Sequence, residues 1–488
     1  MVSVPMPPSQ LLIDGEWIGS SDGATIEVVA PATGESLGRI AAATVGDVDA
    51  AVRAARAQFD HGEWSKTSGA DRGKLLWRLA DLVEADLERL STLEAVDVGR
   101  PFGEAFYAEI PLVVDVLRHF AGWADKLTGS TFTLPPFGGE DRFSYTVRQP
   151  LGVVAAITPW NAPTMITSWK LAPALAAGNT IVIKPAPDAS LTTLRLGELI
   201  IEAGFPAGVV NIVTGSGTDA GAALTQHPGV DKISFTGSTS VGRQIAATAA
   251  ASLKKVTLEL GGKSPQIIWP DADLEKAAPV AALSIFANQG QTCASASRIY
   301  VHRSVLDDFV NLLKIEAESR VLGDPLDAET TMGSLINPAQ LERVLGYIAS
   351  AREEGAQLIT GGGCVEGPGL FVEPTIFVGG NELTVAREEI FGPVGTVIPF
   401  DDDDEVLALA NDNAYGLTAV LWTNNASRIG RFTREIHAGV VWVNAWGPPH
   451  PAVPWLGVKS SGIGEELGLE GLKANTRVKT VNVVSSHS

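Results

Sequence analysis

Short β-branched runs alternate with longer Ala- and Leu-rich stretches through the middle of the chain. Short apolar runs bounded by turn residues are typical of strands, and apolar recurrence every three to four positions is typical of helices. The pattern predicts strands at residues 152–157, 180–183, 209–213, 232–235 and 256–260. It predicts helices between them at residues 165–177, 191–203, 220–225 and 241–251. Such an order, at about 25-residue spacing, indicates right-handed βαβ units and a doubly wound parallel sheet in an α/β fold.

The flanking segments carry similar periodicities. Before the central region, residues 48–59 and 72–94 are predicted as helices, and residues 142–148 alternate like an exposed strand. After residue 262, helices are predicted at 274–288, 305–319 and 339–354, and strands at 298–301, 396–400, 419–422 and 439–443. No low-complexity linker interrupts the chain. We therefore expect two α/β lobes that meet near residue 261 and pack rigidly.

Composition narrows the class of protein. A chain of 488 residues exceeds what one hydrophobic core usually organises. Its 36 basic and 56 acidic side chains give a net charge of −20, which repels phosphate backbones and anionic membranes, so neither nucleic acid nor a membrane is expected as a partner. The dense acidic run at 401–405 is interpreted as a solvated helix N-terminus. Residues 1–10 lack the features of a signal peptide, which favours a cytoplasmic protein.

The two cysteines, Cys293 and Cys364, have no C-x-x-C or histidine partner nearby in the sequence. This spacing argues against both a disulfide framework and a structural zinc site, so no metal is expected. A buried packing role is the ordinary alternative for either thiol.

Three segments combine residues that can carry chemistry. The first, at 158–161, ends a predicted strand with Asn161, whose amide could donate to a developing oxyanion, although a simple turn is the alternative. The second, at 235–242, leads a strand into a helix through small residues and could face a phosphate. Its glycine spacing is not the dinucleotide fingerprint, and tight turns explain it equally well.

The third segment, residues 286–293, ends in Cys293, and residues 259–263 place Glu259 at the predicted lobe junction. A thiolate can add to an aldehyde to give a thiohemiacetal, which becomes a thioester after hydride loss to nicotinamide. A nearby carboxylate can then activate water to hydrolyse that thioester. A structural cysteine and a glutamate in a solvated turn are the alternatives for each residue taken alone.

Taken in order, motifs along almost the whole chain resemble those of the aldehyde dehydrogenase superfamily. The matching strings are PWN at 159–161, WKLAPALAAGN at 169–179, KPA at 184–186, FTGSTSVG at 235–242, LELGGKSP at 258–265, NQGQTC at 288–293, EEIFGPV at 388–394 and GVKSSGIGEELG at 457–468. This resemblance implies oxidation of an aldehyde to a carboxylic acid with NAD, and with NADP also accepted.

The resemblance also implies roles for individual residues. Cys293 is expected to be the nucleophile, Glu259 the deacylating base and Asn161 an oxyanion donor, with Lys170 and Glu466 as a supporting pair. The residues expected to bind the cofactor are Ile157, Thr158, Pro159, Trp160, Lys184, Gly217, Gly221, Phe235, Gly237, Ser238, Val241, Leu260, Glu389 and Phe391. The residues expected to line the substrate pocket are Met165, Trp169, Thr292, Trp446 and Trp455.

The domain organisation follows from the same resemblance. It implies a nicotinamide-cofactor-binding domain at 1–127 and 150–261, a catalytic domain at 262–460 and a small β oligomerisation arm at 128–149 and 476–485. Because that arm pairs with another subunit in the family, a homodimer or homotetramer is expected.

Some positions depart from the family's pattern. Many members carry Glu three residues after the KPA lysine, where this chain has Pro187 followed by Asp188. A phenylalanine common after PWN is Ala162 here, and Ser240 stands where the family often has Glu. Cofactor choice is therefore left open, and a wide apolar pocket favours aromatic or medium-chain aldehydes.

Three rival functions remain. An acylating dehydrogenase would pass the thioester to coenzyme A, but Glu259 favours hydrolysis. A cysteine hydrolase would need a histidine-containing signature that the sequence lacks. An inactive structural or binding relative is also compatible with the fold, although Cys293, Glu259 and Asn161 are intact.

Overall fold

The computed structural model describes residues 5–138 and 140–485. The predicted ranges 1–127 and 128–149 therefore include residues 1–4 and residue 139, which lie outside the described part. The strands are β1 (Leu11–Ile13), β2 (Glu16–Ile18), β3 (Thr25–Val29), β4 (Ser36–Ala41), β5 (Thr131–Thr133), β6 (Asp141–Pro150), β7 (Val153–Ile157), β8 (Thr180–Lys184), β9 (Val210–Ile212), β10 (Lys232–Thr236), β11 (Lys255–Glu259), β12 (Pro265–Ile268), β13 (Arg298–His302), β14 (Gln357–Thr360), β15 (Thr375–Val378), β16 (Val394–Phe400), β17 (Thr418–Trp422), β18 (Val440–Val443), β19 (Gly462–Ile463) and β20 (Thr476–Ser485).

Helices follow most of these strands and cover the sheets. They are α1 (Val45–Asp60), α2 (Gly69–Ala85), α3 (Leu87–Val98), α4 (Phe102–Glu104), α5 (Ile110–Trp123), α6 (Pro163–Ala177), α7 (Leu191–Ala203), α8 (Ala222–Gln226), α9 (Thr239–Ala251), α10 (Leu274–Phe286), α11 (Leu306–Glu318), α12 (Pro338–Glu353), α13 (Thr384–Arg387), α14 (Asp403–Asn411), α15 (Ala426–Glu435) and α16 (Gly468–Lys473).

The first large sheet has the strand order β19-β11-β10-β7-β8-β9-β1-β2. Its five central strands are parallel, and β19, β1 and β2 join antiparallel at the edges. Alternate residues of β7 enter two different apolar cores, because successive side chains of a strand point to opposite faces. Helices α2, α5, α6 and α7 cover one face, and α1, α8 and α9 cover the other. The predicted doubly wound α/β sheet is confirmed.

The order of this sheet reverses between β7 and β10. From β7 the chain adds β8 and β9 on one side, and then β10 and β11 on the other. Ligands of open α/β sheets bind at such a switch point, beyond the carboxyl ends of the strands. The loops that begin at Thr158 and Gly237 therefore lie where a ligand is expected.

The second large sheet has the order β14-β15-β16-β13-β12-β17-β18, and only β14 joins antiparallel. Helices α10 and α11 cover one face, and α12, α14 and α15 cover the other. The acidic run supplies Asp402, which caps α14 and is followed by three acidic residues in its first turn. Acidic side chains at a helix N-terminus interact favourably with the helix dipole, and the acidic run lies where the sequence predicted.

A third sheet, of order β20-β6-β5, stands apart from both large sheets. Its longest ladder pairs Thr476 with Pro150 at one end and Ser485 with Asp141 at the other. Several of its apolar side chains are exposed, including Phe132, Phe143 and Val478. This exposed ladder lies in the residues that the sequence predicts to form an oligomerisation arm.

Two predicted helices were too long. The segment 72–94 is split into α2 and α3 at Asp86, which leaves helical geometry and receives two hydrogen bonds from Arg195, at 2.7 and 2.8 Å. The helix predicted at 274–288 ends at Phe286, because Asn288 and Gln289 adopt left-handed backbone conformations. In both cases contacts with distant residues override a continuous helical pattern in the sequence. Among the helices of the described residues, none has the length and apolarity needed to cross a bilayer.

Candidate active site

A cavity of about 540 Å³ opens at the carboxyl ends of β7, β10 and β11 and extends to the segment that follows α10. Both large sheets contribute to its walls. Its lining includes the predicted residues Pro159, Trp160, Asn161, Met165, Trp169, Gly237, Ser238, Glu259, Leu260, Thr292, Cys293, Glu389, Phe391, Trp446 and Trp455. Residues that are hundreds of positions apart in sequence thus surround one space.

Cys293 reaches this cavity through a constrained turn. Asn288 has φ 50°, Gln289 has φ 57° and Gly290 has φ +71°, so three successive residues are left-handed before the cysteine. The left-handed backbone conformation is disfavoured for residues other than glycine, and such residues keep it only where contacts hold them there. A Cβ added at Gly262 would lie 2.2 Å from the Cys293 carbonyl oxygen, so glycine is required for this close approach.

The environment of the Cys293 sulfur disfavours its anion. The residue keeps partial solvent contact through the cavity, while protein atoms surround the sulfur. Burial, together with the nearby Glu389 and Glu259 carboxylates, raises the pKa of the Cys293 thiol to about 12. The resting thiol is therefore protonated, and its activation needs a base or a change in the surrounding charge. Cys364, in contrast, is exposed in a loop outside the cavity lining.

Glu259 ends β11 with its carboxylate buried against the cavity. Neither of its side-chain oxygens has a hydrogen-bond partner among the described residues. Burial raises the pKa of Glu259 well above its ordinary value, the negative charge of Glu466 adds to the rise, and Lys170 opposes it. A carboxylate in these conditions is a stronger base than one in water.

Asn161 is held at both its backbone and its side chain. Its Nδ2 donates to the carbonyl of Gln291 at 2.8 Å, and its own carbonyl accepts from Arg100 and Asn288 at 2.9 and 2.7 Å. An amide carries two hydrogens, and the bond to Gln291 uses one of them. The side chain is thus fixed beside the segment that carries Cys293.

Lys170 and Glu466 lie behind Glu259, outside the cavity lining. The Lys170 Nζ donates to Glu466 Oε1 at 2.5 Å, to Thr236 Oγ1 at 2.8 Å and to Ser234 Oγ at 3.3 Å. All four side chains are buried. The structure therefore brings the predicted supporting pair together as a buried, hydrogen-bonded ion pair whose charges act on Glu259 through space.

The remaining predicted cofactor residues cluster at the same end of the first sheet. Ser238 caps α9, and its side chain accepts a hydrogen bond from Val241 N at 3.4 Å. Lys184 is buried with its Nζ bonded to the Pro185 carbonyl at 3.0 Å, and burial lowers its pKa to about 8. The Thr158 hydroxyl is buried without a partner among the described residues. Of the predicted set, Ile157, Thr158, Lys184, Gly217, Gly221, Phe235 and Val241 lie outside the lining of the cavity.

These features fit an extended phosphate-bearing cofactor. A Cβ added at Gly217 would meet no atom within 4 Å, and a Cβ at Gly221 would contact the Lys184 stem at 3.6 Å. An open glycine surface, a helix N-terminus and a buried lysine are groups whose chemistry suits a pyrophosphate and a ribose.

On the other side of the cavity, Glu389 accepts a hydrogen bond from Gly262 N at 2.9 Å, and burial raises its pKa. Phe391 has φ 63° and packs edge-on against Trp160, with ring centroids 5.2 Å apart. Gln340 holds this segment by donating to the Phe391 carbonyl at 2.7 Å. The second lobe thus presents a carboxylate and an aromatic ring to the junction.

Aromatic side chains form the apolar end of the cavity. Trp169 packs against Trp455 with centroids 5.7 Å apart, and Trp442 bridges Trp455 and Trp446 at 6.1 and 6.4 Å. Met165 completes this wall. The five predicted pocket residues therefore share one cavity with Cys293.

Sequence reasoning missed one wall altogether. Residues on α4, at the start of α5 and in the π-helical turn Ala105–Glu109 also line the cavity, as do two residues of α12. These are Glu104, Ala108, Glu109, Leu112, Gln340 and Arg343, and Arg100, between α3 and α4, joins them. No motif in the sequence marks the direction of the Arg100 side chain, which follows the glycine that ends α3.

Comparison with known proteins gives a consistent answer. The sequence model of the Aldehyde dehydrogenase family matches residues 17–481. Aldehyde dehydrogenase 1 of Tanacetum cinerariifolium is 46% identical over 475 residues, which cover 97% of this chain and 94% of that protein. The mitochondrial aldehyde dehydrogenase of Homo sapiens is 45% identical over 478 residues, which cover 97% and 92%. The structure of the aldehyde dehydrogenase from Bacillus cereus, solved as an NAD+ complex, matches with a TM-score of 0.96 and 43% identity, covering 98% and 96%.

The buried carboxylate predicts a pH-dependent gain in stability for Glu259→Gln. Because the folded-state pKa of Glu259 is raised, the folded protein binds more protons than the unfolded chain between the ordinary and the raised pKa, so stability falls as pH rises across that range. The variant should match the parent near pH 5 and melt about 2 °C higher near pH 9. Thermal unfolding followed by fluorescence between pH 5 and 9 measures this.

The matched control is Glu353→Gln on the exposed end of α12. Its melting difference from the parent should be constant with pH. A constant difference for Glu259→Gln would contradict the expectation.

Proposed function

Because this chain belongs to the aldehyde dehydrogenase family, we propose that it oxidises an apolar aldehyde to a carboxylic acid with NAD, through a thioester on Cys293. The observation that carries the proposal is the shared cavity: a thiol, a carboxylate without a hydrogen-bond partner and a fixed amide line one space. Each has the chemistry that one step of the reaction requires.

In the first step, the Cys293 sulfur bonds to the aldehyde carbon and the thiol proton leaves to a base. The carbonyl oxygen then carries negative charge, and the free hydrogen of the Asn161 amide, with the backbone N–H of Cys293, stabilises it. Loss of one such donor typically lowers the rate 10²- to 10³-fold, about 3 to 4 kcal/mol. The constrained turn before Cys293 supports this arrangement, because it sets the direction of that N–H.

A bound nicotinamide would supply the hydride acceptor that conversion of the thiohemiacetal into a thioester requires. Thr158, Lys184, Gly217, Gly221 and Ser238 are proposed to hold the cofactor on the first lobe, and Glu389 with Phe391 on the second. The NAD+ complex of the Bacillus cereus relative supports NAD as the cofactor. The buried, unpartnered Thr158 hydroxyl and the open surface at Gly217 support the assignment of the residues on the first lobe.

Hydrolysis then regenerates the thiol. Glu259 takes a proton from water, the hydroxide oxygen bonds to the acyl carbon, and the carbon–sulfur bond breaks to release the carboxylic acid and the thiolate. Its raised pKa suits this task, because it strengthens the carboxylate as a base near neutral pH. Lys170 and Glu466 are proposed to support the proton transfer by fixing the electrostatic surroundings of Glu259.

The rival enzyme functions are less well supported. An acylating enzyme gains nothing from a buried carboxylate that faces the acyl carbon, whereas hydrolysis needs one. A cysteine hydrolase needs a histidine beside the sulfur, and no histidine of the described residues lines the cavity. An inactive relative would not need to keep the unpartnered carboxylate of Glu259, which costs stability.

The domain roles follow from these sites. Residues 1–127 and 150–261 are proposed as the cofactor-binding domain and residues 262–460 as the catalytic domain. Residues 128–149 and 476–485 are proposed as an oligomerisation arm in a homodimer or homotetramer. The exposed apolar side chains of Phe143 and Val478 on this sheet support that role, and sedimentation velocity would test it.

Glu259→Gln should separate hydride transfer from hydrolysis. With no base to activate water, the variant should release about one hydride per active site and then stop as a thioester. Mass spectrometry of the intact variant should show an acyl adduct on Cys293. Cys293→Ala should abolish oxidation, and the matched variant Cys364→Ala should keep the parent rate. Parental turnover by Glu259→Gln would show that another group is the base.

The aromatic end of the cavity predicts a preference for apolar aldehydes. Each methylene that is well buried against Trp169 or Met165 should add about 0.8 kcal/mol of binding, so kcat/KM should rise from C2 to C8 aldehydes. The kcat/KM for benzaldehyde should exceed the values for glyceraldehyde and betaine aldehyde. Steady-state kinetics across the series measure this, and a flat or falling series would contradict it.

Cofactor discrimination is proposed to be loose. Pro187 cannot bind the ribose hydroxyls or repel a 2′-phosphate, as a glutamate there would. Asp188 beside it is exposed and accepts from Asn337 at 3.4 Å. NAD should be preferred over NADP by about 5- to 30-fold in kcat/KM, and Pro187→Glu should lower NADP use while sparing NAD.

The controls for this prediction are two further variants. Lys184→Ala should weaken the binding of both NAD and NADP. Asp188→Asn should leave the preference almost unchanged. The parent could instead reject NADP by several thousand-fold. If Asp188→Asn relieved that rejection, the negative charge that repels the 2′-phosphate would belong to Asp188.

A further inference from the structure

Arg100 lies behind the catalytic turn and is almost completely buried. It follows Gly99, which ends α3 in the left-handed conformation and so directs the chain back toward the cavity. Its guanidinium contacts two acidic side chains, donating to Glu94 Oε1 at 2.8 Å and pairing with Glu109. A buried guanidinium needs such partners, and these two carboxylates hold it in one orientation.

The other side of the guanidinium faces the two asparagines of the site. Its Nη2 donates to the Asn161 carbonyl at 2.9 Å, and its Nε donates to Asn288 Oδ1 at 3.3 Å. Asn288 Nδ2 in turn donates to the Asn161 carbonyl at 2.7 Å and to the Gln291 carbonyl at 3.2 Å. Gln291 also accepts from the Asn161 side chain. These bonds form a closed network that fixes Asn161 relative to the segment carrying Cys293.

Residues on both sides of Arg100, together with Ser334, support the left-handed turn. Gln289 Nε2 donates to the Gly99 carbonyl at 3.1 Å and to the Ser334 carbonyl at 2.9 Å. Glu104 accepts from Asn288 N at 2.9 Å. Left-handed residues other than glycine are costly, so this turn depends on such contacts. Arg100 lies outside the turn and bonds both to the turn, at Asn288, and to Asn161.

We infer that Arg100 is a positioning residue, which sets the oxyanion donor Asn161 against the Cys293 turn through its bonds to the Asn161 carbonyl and to Asn288. The planar guanidinium can serve both acceptors and both carboxylates at once, whereas a lysine offers a single nitrogen. This inference rests on the proposed role of Asn161 in the aldehyde oxidation.

The test is a double-mutant cycle. Arg100→Met should lower kcat about 100-fold, as expected when a reacting group is misplaced by about 1 Å, and should leave KM for NAD within about twofold. Arg100→Lys keeps the positive charge between Glu94 and Glu109, so its kcat should fall less, by about tenfold. In the Asn161→Ala background, Arg100→Met should lower kcat by less than about threefold, because the group that Arg100 positions is already gone. Full additivity of the two losses would overturn the inference.

Hydrogen exchange gives a readout that needs no turnover. A peptide covering residues 286–294 should exchange faster in Arg100→Met and Arg100→Lys than in the parent. Arg195→Lys is the matched control, since Arg195 forms a comparable ion pair with Asp86 away from the cavity, and it should leave this peptide unchanged. Unchanged exchange in both Arg100 variants would overturn the inference.

The outcomes separate the two proposals. A parent without aldehyde oxidation would remove the proposed function, while exchange would still report on the contact of Arg100 with the turn. An active parent in which Asn161→Ala keeps full kcat would overturn the positioning role, because Arg100 is inferred to act through Asn161.

Discussion

The arrangement of the site depends on one costly feature, the buried carboxylate of Glu259. Both of its oxygens lack hydrogen-bond partners among the described residues, and the charge of Glu466 nearby makes ionisation harder still. Burying such a group without compensation destabilises a fold, so it persists only where the surrounding structure is stable enough to tolerate it. The apolar core on one face of the first sheet includes Leu258 and Leu260, which flank Glu259 and fix the end of β11.

The turn before Cys293 shows the opposite treatment of polar groups. There, Asn161 and Asn288 bond to each other, to Arg100 and to the Gln291 carbonyl, and Gln289 donates to the Gly99 and Ser334 carbonyls, while Gln289 Oε1 and Gln291 Nε2 have no partner among the described residues. A connected network of this kind rigidifies its members and makes each of them costly to remove. The cavity therefore combines a hydrogen-bonded framework around Asn161 with the unpartnered carboxylate of Glu259.

Local patterns predicted the elements that pack most regularly. The parallel strands β7, β8, β10 and β11 and the helix α7 lie where periodicity placed them, because buried parallel strands have continuous apolar runs. Periodicity failed where a distant contact decides the backbone. Nothing local ends a helix at Asp86, and only the pair with Arg195 explains the break. The left-handed Asn288 was predicted as helical for the same reason, since the contacts that hold it come from distant parts of the chain.

The candidate site could be predicted from the sequence to the extent that its residues stand in short motifs. Glu259, Asn161 and Cys293 each stand in such a motif, and the structure brings them to one cavity. The wall formed by Glu104, Glu109 and Leu112 could not be found in this way, because these residues form part of an irregular helix whose π-helical turn rotates them toward the cavity. Their spacing has no periodic signature that a sequence can show.

The C-terminal segment joins the polar and apolar ends of the site. Trp455 and Glu466 exchange two backbone hydrogen bonds, at 2.7 and 2.8 Å, so their positions are coupled. Trp455 belongs to the aromatic wall, and Glu466 is the partner of Lys170 behind Glu259. The short strand β19 between them pairs with β11, the strand that ends in Glu259. A shift of the aromatic wall would therefore move the charges that set the basicity of Glu259. Through this segment, the shape of the aromatic end of the cavity and the proton affinity of Glu259 are coupled.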